Sequence, residues 1–110
     1  MRTIKTDDLK ALLDKNSELT LVNTLDAESF AKTRIPGAIN IPQDSANFAA
    51  RVEQQAGSKD QPVVVYCANQ QCDSSEQAAK KLEEAGFTNV IDYAGGADAW
   101  QKEAEKVGAH

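Results

Sequence analysis

The apolar run of residues 63–66, which ends in Cys67, constrains the fold of this chain more than any other segment. Three consecutive valines and a tyrosine without a polar interruption are typical of a strand buried on both faces of a sheet. We therefore predict a central strand here. A short polar loop follows, and residues 75–82 have the pattern of a helix.

This order places Cys67 at the carboxyl end of a strand and beneath the N-terminus of a helix. Open α/β sheets bind their ligands at this edge. The N-terminus of a helix also stabilises a thiolate relative to a thiol. A reactive cysteine is therefore the first functional hypothesis, in preference to a buried and inert cysteine that merely ends a strand.

The remaining sequence alternates between strand and helix patterns. Strands are predicted over residues 2–5, 19–23, 38–41 and 89–93 in addition to the one that ends at Cys67, and helical spacing of apolar residues appears between and after them. Such alternation predicts an α/β fold with a mostly parallel sheet of about five strands and helices on both faces. The 110 residues are expected to form one domain, 1–110.

Composition excludes several function classes. The net charge of −5 argues against nucleic-acid binding and against binding to anionic membranes. Nothing approaches the length of a transmembrane helix, and the first residues contain no apolar signal segment, so we expect a cytoplasmic location with reduced cysteines. Two cysteines and His110 are too few for a zinc site, so no metal is expected.

Several segments match one known pattern in order and spacing. They are Leu21-Val22-Asn23-Thr24-Leu25, Arg34-Ile35-Pro36-Gly37-Ala38-Ile39-Asn40-Ile41-Pro42, Val64-Val65-Tyr66-Cys67, Gly86-Phe87-x-Asn89-Val90 and Gly95-Gly96-x-x-x-Trp100. With these segments the chain resembles the rhodanese-like domains, a family of sulfurtransferases. The resemblance covers nearly the whole chain.

The resemblance implies a catalytic role for Cys67. Its thiolate would attack a sulfane sulfur, carry it as a persulfide and pass it to a thiol or another nucleophile. The resemblance further implies that backbone N–H groups of the following loop form a cradle for the anion. This loop consists of Ala68, Asn69, Gln70, Gln71, Cys72, Asp73, Ser74 and Ser75. No cofactor is expected.

The loop departs from the family pattern, in which an arginine follows the cysteine after four residues. Here that position holds Cys72, and no arginine or lysine occurs between Cys67 and Gln77. Aligning Ser75 with the serine of the family makes the loop two residues longer and puts Ser74 where the arginine would be. Without a guanidinium, dianions such as thiosulfate lose their bidentate partner. We therefore expect poor turnover of thiosulfate, and a small-thiol or protein persulfide as the donor.

Two further hypotheses about the function stay open. Many family members have Asp and Arg where this chain has Asn23 and Leu25, which, together with the missing loop arginine, is consistent with a catalytically weakened interaction or regulatory module. Cys72 suggests the other hypothesis, a thiol redox protein. In it, Cys72 would resolve a persulfide or a sulfenic acid on Cys67 by forming a disulfide. The alternative for Cys72 is a small apolar residue that packs the longer loop onto the helix.

Overall fold

The computed structural model describes residues 2–15, 19–69 and 71–108 of the chain. Strands and helices alternate along it without exception. The strands are β1 (Arg2–Ile4), β2 (Thr20–Asn23), β3 (Ile39–Asn40), β4 (Val63–Tyr66) and β5 (Val90–Tyr93). The helices are α1 (Thr6–Lys15), α2 (Ala27–Thr33), α3 (Phe48–Ala56), α4 (Ser74–Glu84) and α5 (Gly96–Gly108).

The five strands form one sheet in the order β1-β5-β4-β2-β3, and every described pair is parallel. The prediction of a parallel α/β sheet is confirmed, and β4 is the central strand. All four residues of β4 are fully buried, as its uninterrupted apolar sequence requires. Only β3 is clearly shorter than predicted, because the N–H of Ala38 bonds back to the carbonyl of Ile35 in the preceding turn.

The core lies on both faces of the sheet because successive strand side chains point to opposite sides. On one face, Val63 and Val65 pack with residues of α3 and α4, among them Val52 and Leu82. On the other face, alternate residues of β2, β4 and β5 pack with residues of α1 and α5, including Leu9 and Ala97. Helices therefore cover both faces, as predicted.

The hydroxyl group of Tyr66 ties the end of β4 to the segment that follows α2. It accepts a hydrogen bond from the backbone N–H of Ile35 at 3.0 Å and donates to the carbonyl oxygen of Thr33 at 3.0 Å. Burial raises the pKa of the Tyr66 phenol, so the hydroxyl stays protonated and can serve as donor and acceptor together. Tyr66 is thus a packing residue with a structural hydrogen bond.

Substitution of Tyr66 by Phe tests this role. It leaves the N–H of Ile35 without its partner and the carbonyl of Thr33 with only the amide of Asn23 at 3.4 Å, and we expect a loss of about 1–3 kcal/mol in the free energy of unfolding. Urea unfolding followed by circular dichroism measures the change. Tyr93→Phe is the matched control, because among the described residues its hydroxyl bonds only to the rotatable hydroxyl of Thr6, and its loss should cost about 1 kcal/mol or less. A larger loss for the control than for Tyr66→Phe would contradict the assignment.

Candidate active site

Cys67 lies directly after β4 and is 1% exposed. Its backbone carbonyl accepts a hydrogen bond from the N–H of Ala97 at 3.0 Å, and the carbonyl of Ala68 accepts one from the N–H of Asp98 at 2.9 Å. Both donors belong to the first turn of α5, whose N–H groups have no partner within their own helix. The end of β4 thus satisfies the start of α5, and this pairing fixes the backbone of the cysteine.

Gly96 makes this close approach possible. Its φ of +64° lies in the left-handed region of backbone conformations, which residues other than glycine rarely adopt. A Cβ atom at this position would collide with the carbonyl oxygen of Cys67 and would lie 3.0 Å from both the carbonyl carbon of Ala68 and the nitrogen of Asn69. These neighbours are backbone atoms and cannot rotate away. The Gly95-Gly96 pair of the sequence is therefore part of the site.

The structure brings the two cysteines of the chain together. Their Sγ atoms are in disulfide contact, and their Cα atoms are 6.4 Å apart, within the range that a disulfide spans. Cys67 is buried beneath the loop, whereas Cys72 is half-buried. A reagent approaching from solvent therefore meets Cys72 first.

The loop is organised by the side chain of Asn69. Its Oδ1 atom accepts hydrogen bonds from the backbone N–H groups of Gln71 at 3.1 Å and of Cys72 at 3.2 Å. With the disulfide closed, these two N–H groups point to Asn69 and not to the sulfur of Cys67. The anion cradle stays a prediction for the open, reduced loop.

The two serines that begin α4 have different partners. Ser74 lies within hydrogen-bond distance of the hydroxyl of Thr24 (2.9 Å) and donates to the carbonyl of Thr24 at 3.2 Å. Ser75 is 2% exposed, and its Oγ atom lies 3.7 Å from the Sγ atom of Cys67. The residue at the expected arginine position therefore anchors α4 to the end of β2, while the next residue faces the sulfur of Cys67.

The electrostatics of the loop are set by neutral and acidic groups. Asp73 is exposed and accepts a hydrogen bond from the side chain of Gln77 at 3.0 Å. The loop sequence contains no cation that could neutralise an incoming dianion. Gln70 and His110, which the sequence analysis also named, lie outside the described residues.

Asn23 has a structural role here. It is fully buried, its amide donates to the hydroxyl of Thr33 at 3.0 Å, and its Oδ1 atom accepts from the N–H of Leu25 at 3.0 Å. These contacts hold the turn after β2 in place. Asn23 can brace the turn from both sides because an amide carries a donor and an acceptor on one side chain.

Asp92 is a buried carboxyl group that the sequence analysis missed. It lies on β5 with 6% exposure. Burial raises the pKa of Asp92, the hydroxyl of Ser75 opposes this shift, and the negative charge of Glu76 adds to it. The available signal was a carboxylate inside an otherwise apolar strand, since ionised groups are almost never buried without a partner.

Two features are absent from the described part of the chain. No group of three or more His, Cys, Asp or Glu residues is placed there to hold a metal ion. Among the helices of residues 2–15, 19–69 and 71–108, none is long and apolar enough to cross a membrane.

Comparison with known proteins defines the class. The model of the rhodanese-like domain family matches residues 5–103, and the chain belongs to this family. It is 30% identical over 101 residues to thiosulfate sulfurtransferase GlpE of Pseudomonas savastanoi pv. phaseolicola, a match that covers 91% of this chain and 87% of that protein. Its family is thus one of sulfurtransferases.

A second relative is much longer. The chain is 31% identical over 96 residues to adenylyltransferase and sulfurtransferase UBA4 of Meyerozyma guilliermondii. This match covers 84% of this chain but only 22% of that protein. Among solved structures, the BH2092 protein of Bacillus halodurans superposes with a TM-score of 0.78 at 29% identity, over 94% of this chain and 73% of that one. The rhodanese-like fold is therefore established from both sequence and structure.

Substitution of Gly96 by Ala tests the backbone contact beneath Cys67. We expect a loss of at least about 2 kcal/mol in the free energy of unfolding, because a backbone clash adds to the cost of the left-handed conformation. Gly57→Ala is the matched control: its φ of +94° is also left-handed, but nothing lies within 4 Å of the added Cβ. Urea unfolding of both variants measures the difference. Equal losses would show that the approach of α5 to β4 is not tight.

Proposed function

We propose that this protein is a sulfurtransferase or sulfur carrier that forms a persulfide on Cys67 and passes the sulfane sulfur to a thiol. The observation that carries the proposal is the placement of Cys67. It ends a central strand, its backbone is held by the N-terminal turn of α5, and its sulfur faces the first turn of α4. A thiolate there lies at the positive end of a helix dipole.

The reaction consists of two thiol exchanges. The thiolate of Cys67 attacks the outer sulfur of a persulfide R–S–SH, the S–S bond of the donor breaks, and the thiol R–SH leaves after taking up a proton. An acceptor thiolate then attacks the outer sulfur of the Cys67 persulfide and regenerates the Cys67 thiolate. No electrons enter or leave, so no cofactor is needed.

The charge of the loop selects the donor. Asp73 is negative, and the neutral side chains around Cys67 offer no bidentate partner for a dianion. A small-thiol persulfide or a persulfide on a partner protein carries less charge at the reacting sulfur than thiosulfate does. We propose these as donors and a thiol as the acceptor, with one rhodanese-like domain over residues 1–110 acting in the cytoplasm without nucleic acid or membrane as a partner.

Intact-protein mass spectrometry tests the assignment of the nucleophile. After reduction and incubation with a low-molecular-weight persulfide, the wild type should gain one sulfur atom. Cys67→Ser should gain none, because it removes the attacking thiolate, whereas Cys72→Ser should still gain it. Addition of sulfur to Cys67→Ser, or no addition to any variant under conditions in which Cys67 is alkylated, would reject the proposal and favour an interaction module.

The turnover of thiosulfate should be poor. A hydrogen bond to a charged donor contributes about 1.5–3 kcal/mol against about 1 for a neutral one, so the two bonds of a missing arginine fork differ by about 1–4 kcal/mol, a loss of roughly 5- to 1000-fold. We expect the ratio of thiosulfate to small-thiol persulfide turnover to be lower by that factor than in a rhodanese-like domain that has the arginine. Parallel steady-state assays with cyanide as acceptor measure this ratio. Comparable ratios in the two proteins would refute the charge argument.

The contact between Cys67 and Cys72 favours a second candidate function, thiol–disulfide chemistry. The thiolate of Cys72 can attack the inner sulfur of the Cys67 persulfide, which breaks the S–S bond of the persulfide, closes the disulfide and releases hydrosulfide. A dithiol reductant must then reopen the loop; its attack on the half-buried sulfur of Cys72 expels the Cys67 thiolate.

The same mass measurement separates the two candidates. A carrier retains the added sulfur until an acceptor thiol is present. A resolving Cys72 instead yields a protein that has lost two hydrogens, and the loss depends on both cysteines. If Cys72→Ser leaves the lifetime of the persulfide unchanged, the resolving role is wrong.

A further inference from the structure

The β1 edge of the sheet borders a groove that the proposed chemistry does not use. β1 pairs with β5 on one side, and in the described sheet no strand lies on its other side. Arg2 and Thr3 of β1 are exposed, whereas Ile4 is buried in the part of the core that contains Leu9 of α1. The backbone groups along such an edge are available to pair with a further strand.

The outer flank of α1 forms the wall of this groove, and β1 forms its floor. Four residues at the spacing of one helix face line the wall, namely Asp8, Ala11, Leu12 and Lys15. The groove has a volume of about 340 Å³. Ala11 is exposed and Leu12 is half-buried, so apolar surface meets water here. The opposite flank of α1 is covered by α5, where Nζ of Lys10 lies 3.9 Å from a carboxylate oxygen of Glu103.

The charges of the outer flank are ordered along the helix. Asp8 lies in the first turn of α1 and Lys15 in the last, and the apolar residues Ala11 and Leu12 lie between them. A flank that is acidic at one end and basic at the other is complementary to itself when a second copy is turned by 180°. The occupant whose charges fit this groove is therefore another molecule of the same chain.

We propose that two copies of the chain associate through this groove about a twofold axis perpendicular to the sheet. The β1 strands of the two copies pair antiparallel, with Thr3 opposite Thr3, so that the two five-stranded sheets become continuous. The two α1 helices then lie side by side on the same face of the joined sheet and run in opposite directions. Asp8 of each copy faces Lys15 of the other, and Ala11 faces Leu12.

The contact residues suit this arrangement in size and polarity. Packed helices approach to about 8 Å between their axes where the residues at the contact are small, and Ala11 provides that space. Leu12 supplies apolar area that the pairing removes from water. Two threonines directly opposite each other form a favourable cross-strand pair, as Thr3 would with its copy. Lys5, the next cation along the chain, lines a different cavity beside Tyr93.

The arrangement leaves both sulfur sites accessible. Cys67 follows the carboxyl end of β4, which β5 separates from β1. Because the strands of the two copies run in opposite directions, the two cysteines lie at opposite edges of the joined sheet. The association is therefore compatible with persulfide chemistry and does not rest on it.

The dimer should be weak, because the contact consists of a strand of 3 residues and one flank of a helix of 10. Stable interfaces bury about 1,200 Å² or more, which a contact of this size does not reach. Sedimentation equilibrium of the full chain measures the association. The protein is kept reduced with a dithiol, so that no intermolecular disulfide forms. We expect the average mass to rise from monomer toward dimer between about 10 μM and about 1 mM.

Two charge reversals make the test specific to the twofold pairing. Lys15→Glu places a carboxylate opposite Asp8 in both symmetric contacts, and Asp8→Lys places an ammonium group opposite Lys15. Each variant alone should dimerise about tenfold more weakly or worse, because both contacts change from attraction to repulsion. An equimolar mixture of the two variants should form a mixed dimer with the affinity of the wild type, since each contact again joins opposite charges.

Lys80→Glu is the matched control. It makes the same change of charge on α4, which packs on the other face of the sheet, and it should leave dimerisation unchanged. Recovery in the mixture also shows that both reversed chains are folded, because each must present its own flank. A monomer at every concentration, an equal weakening by Lys80→Glu, or a mixture that stays monomeric would overturn the proposal.

Discussion

The site depends on one backbone interaction, the hydrogen bonds between the end of β4 and the first turn of α5. A strand that ends and a helix that begins each have backbone groups without partners, and here each satisfies the other. Gly96 permits the contact because any side chain would enter the space of the Cys67 carbonyl. The backbone of Cys67 is therefore held in place by hydrogen bonds, although the loop beyond it is long and polar.

The loop above this backbone is built without a cation. Ser74, at the position of the expected arginine, is turned toward Thr24, and Asn69 binds the loop N–H groups. In the proposed function, stabilisation of the Cys67 thiolate therefore falls to the dipole of α4. A loop of neutral and acidic groups favours partners of low charge over dianions, which agrees with a persulfide as the proposed donor.

The order of the elements was predictable because each has a strong local pattern. The valines of β4 predict a buried strand, and the spacing of the apolar residues Ala78, Ala79 and Leu82 indicates one face of a helix. Gly86, which follows α4 in the sequence, has a φ of +102°, the left-handed conformation in which glycine commonly ends a helix. The least accurate boundaries were those of β3, where a turn hydrogen bond of Ala38 competes with the strand ladder.

The sequence by itself determined the parallel α/β fold, the position of Cys67 at a strand end and the absence of a loop cation, because these follow from local patterns and composition. Tertiary structure decided which groups surround the sulfur. The pairing of Cys67 with Cys72 depends on the path of the loop, and the hydrogen bond from the N–H of Ala97 to the carbonyl of Cys67 joins α5 to the end of β4 across thirty positions of the chain. Such contacts arise from strand order and register, which no local pattern encodes.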